Sequence, residues 1–314
     1  MGRQLLSRSN ECESIRLRAL RGLLLTMRPK QWTKNLLFVF PAIIFDGKLF
    51  EADAFLRVFA SFALLCLISG SVYIINDLVD IESDRQHPRK RFRPLPAGQL
   101  PVPMAKTAAV VFPLFGLALA WLLTPKLTLI LLAYLIMQLM YSFWLKHVVI
   151  LDVLVITAGF VMRVAAGVVV IQVTQFSPWL FVCTGLLALF LAISKRRQEL
   201  ILLGDRADNV RQIYREYNLP LLDEMLRITT TSTLITYIVY TIETSAPILA
   251  GTNLALLTVP FVMYGLFRYL YLIYVKGESS PPDEVLLKDR PLQLDLVGFA
   301  LTCVIILYLV PNAG

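Results

Sequence analysis

Nine runs of mostly apolar residues, each close to twenty residues long, divide this 314-residue chain. A bilayer core about 30 Å thick is crossed by about 20 residues of α-helix. Spanning segments of this kind must be helical, because lipid offers no partner for backbone polar groups. We therefore predict an all-α polytopic membrane protein with nine transmembrane helices. The predicted spans are 31–46, which Pro41 interrupts, 54–77, 104–123, 126–145, 148–171, 178–198, 226–246, 251–274 and 292–311.

Composition excludes several other classes of protein. The chain is 57% hydrophobic with a mean hydropathy of +0.67, which is too apolar for an ordinary soluble domain. The four cysteines are far apart and match no disulfide or metal-binding spacing. The sequence also lacks a Walker motif, a G-x-S-x-G motif, a paired-histidine metal site and a Rossmann glycine pattern. The usual nucleotide-binding and hydrolase classes are therefore unsupported.

Lys and Arg residues are distributed unevenly among the loops, and this predicts the orientation. The first 34 residues carry eight of them, and the loops 78–103 and 195–227 are also basic, whereas the opposite loops contain only Lys48 and Lys126. The positive-inside rule then places the N-terminus in the cytoplasm and, after nine crossings, the C-terminus outside. The net charge of +8 is explained by these loops without invoking nucleic acid. Residues 1–27 are either a basic tail or an amphipathic helix at the membrane interface, and 28–314 form the nine-helix domain.

The stretch 76–93, NDLVDIESDRQHPRKRFR, combines an acidic pattern with a basic one at the end of the second apolar run. On a helix, Asp77, Asp80 and Asp84 share one face. Carboxylates crowded in this way favour a bound cation, and Mg²⁺ takes one or two carboxylates together with substrate phosphates. We interpret the stretch as a site for a magnesium diphosphate at the membrane surface. The alternative is a solvated loop that obeys the positive-inside rule.

Other charged residues near membrane depth also need an explanation, because such residues are costly and usually functional. Three stretches stand out: RPKQWTKN before the first span, YSFWLKHVVILD between two spans, and ISKRRQEL at the end of the sixth. Asp152 and Arg163 share a helix face but are about 16 Å apart along the axis, so each needs another partner, either protein or ligand. Lys30 and Lys34 are either phosphate ligands or interfacial anchors. Lys195 and Glu199 are either site residues or a plain surface pair.

The motif N-D-x-x-D-x-x-x-D after the second span, followed by a basic loop, resembles the UbiA superfamily of intramembrane prenyltransferases. The resemblance covers the chain from about Arg28 to the last helix. It implies a helical bundle with a central cavity that faces the cytoplasm, in which Mg²⁺ and two Asp-rich motifs hold an isoprenoid diphosphate. The sequence departs from this pattern at the second motif, where it has Ser194-Lys195-Arg196-Arg197-Gln198-Glu199. A second carboxylate cluster is therefore not expected.

That departure, with the three stretches above and GFVMRVAAG, resembles one branch of the superfamily. The resemblance implies transfer of 5-phosphoribose from phosphoribosyl pyrophosphate to a polyprenyl (decaprenyl) phosphate in a bacterial plasma membrane, for lipid-linked arabinose and cell-wall polysaccharide. Mg²⁺ is the expected cofactor, with Asp77, Asp80 and Asp84 as ligands and Asp77, Asp80 and Lys34 as catalytic residues. The expected substrate-binding residues are Lys30, Lys34, Asn76, Arg91, Tyr141, Lys146, Asp152, Arg163, Lys195, Arg196 and Glu199.

Two other functions remain open at this stage. One is an aromatic prenyltransferase of the same superfamily that uses an isoprenyl diphosphate donor, although the missing second Asp motif argues against it. The other is a membrane transporter whose pathway is lined by Asp152 and Arg163. The sequence also leaves open the length of the lipid chain and the oligomeric state, including a homo-oligomer.

Overall fold

The computed structural model describes residues 16–86, 90–171, 173, 177–203, 212–243, 253–278, 280 and 282–309. Every regular element in these ranges is helical, which confirms the prediction of an all-α protein for this part of the chain. The helices are α1 (16–26), α2 (Trp32–Val39), α3 (Pro41–Phe45), α4 (Ala52–Val79), α5 (Ile81–Gln86), α6 (Val102–Leu123), α7 (Pro125–Phe143), α8 (Leu151–Ile171), α9 (Pro178–Leu203), α10 (Leu219–Glu243), α11 (Val259–Tyr274), α12 (Pro282–Lys288) and α13 (Arg290–Val304).

Seven helical segments of the described chain are long and apolar enough to cross a membrane. They are α4, α6, α7, α8, the part of α9 from Pro178 to Leu202, the segment Leu254–Tyr274 that contains α11, and the segment Arg290–Leu309 that contains α13. The first predicted span is divided into α2 and α3 at Pro41, which cannot donate the hydrogen bond that would continue α2. Helix α10 is 25 residues long but carries many threonines. The count of nine crossings therefore remains a prediction.

Helix α8 lies at the centre of the bundle and packs against α2, α3, α4, α7 and α9. A buried apolar cluster fills the space between α8 and four of these neighbours; it includes Val39, Ile43, Leu65, Ile68, Leu131 and Ala166. Gly167 is needed at the crossing of α2 and α8, because an added Cβ would lie 2.2 Å from the carbonyl oxygen of Val39. A second apolar cluster joins α8 to α9, α10 and α11 on the opposite side.

Large apolar side chains also cover the outside of the bundle. Leu114 and Leu122 on α6, Leu129 on α7 and Ile235 on α10 are all more than half exposed. Apolar surface of this extent is unusual on a soluble monomer and is expected on a protein that faces lipid. The protein is an integral membrane protein.

Contacts between α4 and α8 show which ends of these helices lie together. Ser61 of α4 donates to the carbonyl of Ala166, whereas Asn35 joins Ser69, further along α4, to Arg163, further back on α8. The two helices therefore run antiparallel. The C-terminal end of α4 and the N-terminal end of α8 consequently lie at the same end of the bundle, and both carry acidic residues.

Candidate active site

Asp77 and Asp84 form the first polar cluster, at the C-terminal end of α4 and in α5. Both side chains are almost completely buried, at 2% and 1% exposure. Arg28 Nη2 lies 2.8 Å from Asp77 Oδ1, and Arg93 Nη1 lies 3.2 Å from the same oxygen and 2.7 Å from Asp84 Oδ2. Lys90 is 3.5 Å from Asp84. Arg93 therefore bridges two of the three predicted metal ligands, and each carboxylate is neutralised by a cation from the chain itself.

Asp80, the third predicted ligand, is placed differently. It caps the C-terminal end of α4 and is partly exposed, as is Asn76 one turn earlier. Neither side chain is hydrogen-bonded or ion-paired to another described residue. Asn76, Asp77, Asp80 and Asp84 offer oxygen donors, which are the ligands that Mg²⁺ prefers, so the chemistry of the set fits this ion. Among the described residues, however, no three acidic, histidine or cysteine side chains converge tightly enough to enclose a metal.

The lysines and arginine that were predicted to bind substrate phosphates differ in their exposure to solvent. Lys30 and Arg91 are exposed, whereas Lys34 and Lys146 are partly buried. Arg28 precedes a short helical turn that leads into α2 and has a left-handed backbone, with φ of 55°. This conformation turns its guanidinium toward Asp77 and across the ring of Tyr73, whose centroid is 4.5 Å away.

Asp152 and Arg196 form the second polar cluster, between the N-terminal end of α8 and the C-terminal half of α9. Arg196 Nε lies 2.6 Å from Asp152 Oδ2, and the two side chains are 2% and 0% exposed. The same guanidinium lies 2.6 Å from Glu199 Oε2 and donates to the hydroxyl of Tyr141 at 3.1 Å. Three predicted site residues are thus brought together around a fourth, Arg196.

Two tyrosines from the segment before α10 complete this cluster. Tyr217 donates to Asp152 Oδ1 at 2.7 Å and accepts the backbone N–H of Ile150 at 2.9 Å. Tyr214 donates to Glu199. Burial and the hydrogen bond to Asp152 raise the pKa of Tyr217 above its usual range, so the phenol remains a donor at neutral pH. Both acids of the cluster are therefore engaged by chain donors.

Arg163 lies deeper in the bundle and is held by protein groups alone in the described chain. Its Nε donates to Asn35 Oδ1 at 2.7 Å, its Nη1 to the carbonyl of Gly159 at 2.6 Å, and its Nη2 to the hydroxyl of Tyr134 at 2.8 Å. Asn35 in turn donates to Ser69. This network links α2, α4, α7 and α8. Arg163 and Asp152, as expected from their spacing, have separate partners.

Adjacent residues on α9 point in different directions. Lys195 is exposed, whereas Arg196 and Arg197 are buried. Arg197 donates to Asp223 of α10 at 2.5 Å and lies over the ring of Tyr274. Of the three consecutive cations in the SKRRQE stretch, one is thus at the surface, one belongs to the Asp152 cluster, and one links α9 to α10 and α11.

Several residues of the two clusters and of the Arg163 network were not predicted from the sequence. These are Arg28, Asn35, Arg93, Tyr134, Tyr214 and Tyr217. Arg28 and Asn35 are the ends of the stretch RPKQWTKN, and Arg93 ends the stretch 76–93, so their place in these polar stretches was a usable signal. The tyrosines gave no such signal, because a phenol in an apolar or loop sequence is compatible with simple packing.

The fold and the two clusters define the class of the protein: a membrane protein, helical in its described residues, with carboxylates and guanidinium groups gathered at one end of its bundle. A profile described as the UbiA prenyltransferase family matches residues 36–288. The chain therefore belongs to the UbiA prenyltransferase family and is a transferase, which confirms the resemblance seen in the sequence.

Two relatives and one solved structure are similar to this chain over most of its length. The decaprenyl-phosphate phosphoribosyltransferase of Mycobacterium tuberculosis is 32% identical over 276 residues, covering 87% of this chain and 90% of that protein. The enzyme of the same name from Corynebacterium glutamicum is 30% identical, covering 92% and 88%. A UbiA homolog from Archaeoglobus fulgidus bound to DMAPP and Mg²⁺ is 18% identical with a TM-score of 0.66, covering 92% of this chain and 99% of that chain; this likeness shows the shared fold.

Proposed function

We propose that this chain transfers 5-phosphoribose from phosphoribosyl pyrophosphate to a polyprenyl phosphate, and that Mg²⁺ is required. The relatives that carry the corresponding name match nearly their whole length. The observation that carries the proposal is the second cluster, in which Asp152 and Glu199 are both bound to Arg196. This end of the bundle presents a fixed guanidinium where the superfamily pattern has a second set of metal-binding carboxylates. A donor that carries a 5-phosphate in addition to its pyrophosphate suits a site in which a guanidinium replaces these carboxylates.

The proposed reaction is a single displacement at the anomeric carbon. An oxygen of the lipid phosphate bonds to C1 of the ribose, the bond from C1 to the pyrophosphate oxygen breaks, and its electron pair leaves with pyrophosphate. The lipid phosphate is already an anion at neutral pH, so no strong general base is required. The protein must instead position two anionic substrates and offset their repulsion.

The first cluster is proposed to receive the diphosphate. Asp77, Asp80, Asp84 and Asn76 would hold Mg²⁺, which supplies charge neutralisation to the leaving group. Asp80 is the most accessible of the three acids, so it is the ligand that can meet a substrate-bound ion without a change in the buried pairs. The cations proposed to contact the phosphate groups are Lys30, Lys34, Arg91 and Lys146.

The second cluster is proposed to receive the ribose 5-phosphate. Arg196 is held on one edge by Asp152 and faces Tyr141 and Glu199 on the other. Because these three acceptors already occupy the guanidinium, a phosphate would have to replace Glu199 and Tyr141 at its outer edge, where a bidentate contact can form. Lys195, at the surface beside it, adds a second cation, and Glu199 is a candidate acceptor for a ribose hydroxyl.

Arg163 is proposed to act by positioning rather than by direct contact. Three protein acceptors occupy its guanidinium, so little donor capacity remains for a phosphate. Through Asn35 it fixes the neighbouring Lys34 on α2. This assignment replaces the direct phosphate contact expected from the sequence.

We further propose that the site opens to the cytoplasm, where phosphoribosyl pyrophosphate is available, and that the C-terminus lies on the opposite side. The product would supply lipid-linked arabinose for cell-wall polysaccharide. The likeness to a DMAPP-bound structure favours one alternative, an isoprenyl diphosphate donor with an aromatic acceptor.

The test compares the two donors with the purified protein. Labelled phosphoribosyl pyrophosphate and decaprenyl phosphate are incubated with Mg²⁺, beside parallel reactions with isoprenyl diphosphates and aromatic acids. We expect labelled lipid only with the sugar donor, and loss of product when the metal is chelated. Prenylated aromatic product, without any phosphoribosylated lipid, would contradict the proposal.

A further inference from the structure

Helix α1 presents three different faces, although the proposed reaction uses none of them. Ala19, Leu23 and Thr26 are buried against the bundle. With 3.6 residues per turn, Leu17, Leu20 and Leu24 form a separate apolar stripe. These three side chains are 62%, 56% and 49% exposed. A third face, next to this stripe, carries Arg18 and Arg21 together with Leu25, which is 49% exposed.

Arginines border the apolar stripe of α1 on both sides. Arg18 and Arg21 are exposed and lie on the third face, and Arg16 is exposed on the other side of the stripe. A stripe of leucine flanked by arginine is the pattern of a helix that lies in the membrane interface. Like charges at three positions also disfavour the packing of this face against a second copy of the same helix.

Contacts with α4 and with the segment before α6 show which end of the bundle α1 lies beside. Met27, directly after α1, packs on Gly70 of α4 so closely that an added Cβ would lie 2.7 Å from Met27 Cε. Gly70 is nine residues before the end of α4 at Val79, which corresponds to about 13 Å along the helix axis. Leu23 shares an apolar cluster with Ile74 and with Leu100 before α6. Helix α1 therefore lies against the side of the bundle near the end that carries Asp77.

We propose that α1 is an in-plane helix that binds anionic phospholipid headgroups through Arg18 and Arg21, with Leu17, Leu20 and Leu24 in the acyl boundary. The headgroup phosphates complement the arginines in charge, and the leucines complement the acyl chains. The interaction does not involve the transferred group, so a test of the proposed reaction leaves it unaffected, and the reverse also holds.

The first test measures lipid dependence of stability in nanodiscs. The full-length protein is placed in phosphatidylcholine discs with or without phosphatidylglycerol, and the midpoint of thermal unfolding is recorded. We expect the anionic lipid to raise the midpoint for the wild type and not for the double variant Arg18→Gln, Arg21→Gln. Arg227→Gln is the matched control, because that arginine side chain is 75% exposed on α10; it should keep the full shift.

Two results of this test would overturn the proposal. One is an equal shift in the wild type, the double variant and the control. The other is a shift reproduced by inorganic phosphate in phosphatidylcholine discs, which would indicate a soluble-anion site instead of a lipid surface.

The second test measures depth. A Cys12→Ser background removes the one cysteine that is not among the described residues; the other three, Cys66, Cys183 and Cys303, are buried. An environment-sensitive fluorophore is then attached in Leu20→Cys and, separately, in Arg18→Cys. We expect acyl-chain nitroxides to quench the label at 20 several-fold more than the label at 18. Equal quenching by a water-soluble quencher at both positions would contradict an in-plane orientation.

Discussion

The guanidinium of Arg196 lies 2.6 Å from the carboxylate of Asp152, and the two side chains are 2% and 0% exposed. A buried ion pair of this kind is maintained only when further hydrogen bonds satisfy both partners. Here Tyr217 donates to the carboxylate, and the guanidinium donates to Tyr141. The arginine is thus pre-positioned before any substrate arrives, which is the property expected of a fixed anion ligand.

Asp152→Asn should destabilise the protein strongly, because it leaves a buried guanidinium without its counter-ion. Breaking such a pair costs about 3–5 kcal/mol. Tyr217→Phe removes one hydrogen bond to the carboxylate and should cost about 1–3 kcal/mol. Thermal unfolding in detergent measures both, and Tyr264→Phe, at an exposed tyrosine, is the control.

Kinetics separate a positioning role of Tyr217 from a purely structural one. Tyr217→Phe should raise the KM for phosphoribosyl pyrophosphate more than it lowers kcat, because Arg196 loses part of its support in the donor site. An unchanged donor KM, with reduced stability alone, would show that Tyr217 holds the fold and does not position Arg196.

Arg163→Lys should fail to replace arginine. A lysine cannot reach Asn35, Tyr134 and the Gly159 carbonyl in the fixed geometry of a guanidinium. We expect a loss of about 2–4 kcal/mol, since buried acceptors lose their donors. A double-mutant cycle with Asn35→Ala should show coupling, whereas additive effects would indicate that Asn35 and Arg163 act independently.

Asp80→Asn and Asp77→Asn should both lose activity but should differ in their effect on stability. Asp80 is partly exposed, and its side chain makes no hydrogen bond or ion pair with other described residues, so its variant should lose most transferase activity with little change in unfolding temperature. Asp77 is buried against Arg28 and Arg93, so its variant should lose both activity and stability. Wild-type turnover in both variants would exclude the proposed metal site.

Lys195→Ala should weaken donor binding without disturbing the fold. The side chain is exposed, so its removal should change the unfolding temperature by less than the Asp152 variant does. We expect the KM for the sugar donor to rise about tenfold, which corresponds to about 1.4 kcal/mol. Lys288→Ala, at another exposed lysine, serves as the control. Unchanged saturation by the donor would remove Lys195 from the site.

The sequence predicted the parts of the architecture that depend on local pattern. Apolar runs located α4 and α8, and the charge of 76–93 located the first cluster. The partners within the clusters depend on tertiary structure and could not be obtained in this way. Asn35 and Arg163 are 128 residues apart in sequence, and Asp152 and Tyr217 are 65 apart. Helical periodicity places a residue on a face but does not say which distant residue meets that face.

The predicted metal ligands illustrate the same limit. The spacing of Asp77, Asp80 and Asp84 predicted one shared face, and Arg93 contacts two of these residues, Asp77 and Asp84. It did not show that two of the acids are buried in ion pairs while the third remains accessible. That difference depends on tertiary structure, which places Arg93 beside Asp77 at the end of α4.

The most direct measurement follows the two ends of the donor separately. Phosphoribosyl pyrophosphate is labelled either at the 5-phosphate or in the pyrophosphate, and each sample is incubated with the purified protein, decaprenyl phosphate and Mg²⁺. The account predicts that the 5-phosphate label enters the lipid phase while an equal amount of pyrophosphate label is released into water. A 5-phosphate label that stays entirely in the aqueous phase, under conditions where the protein remains folded, would contradict it.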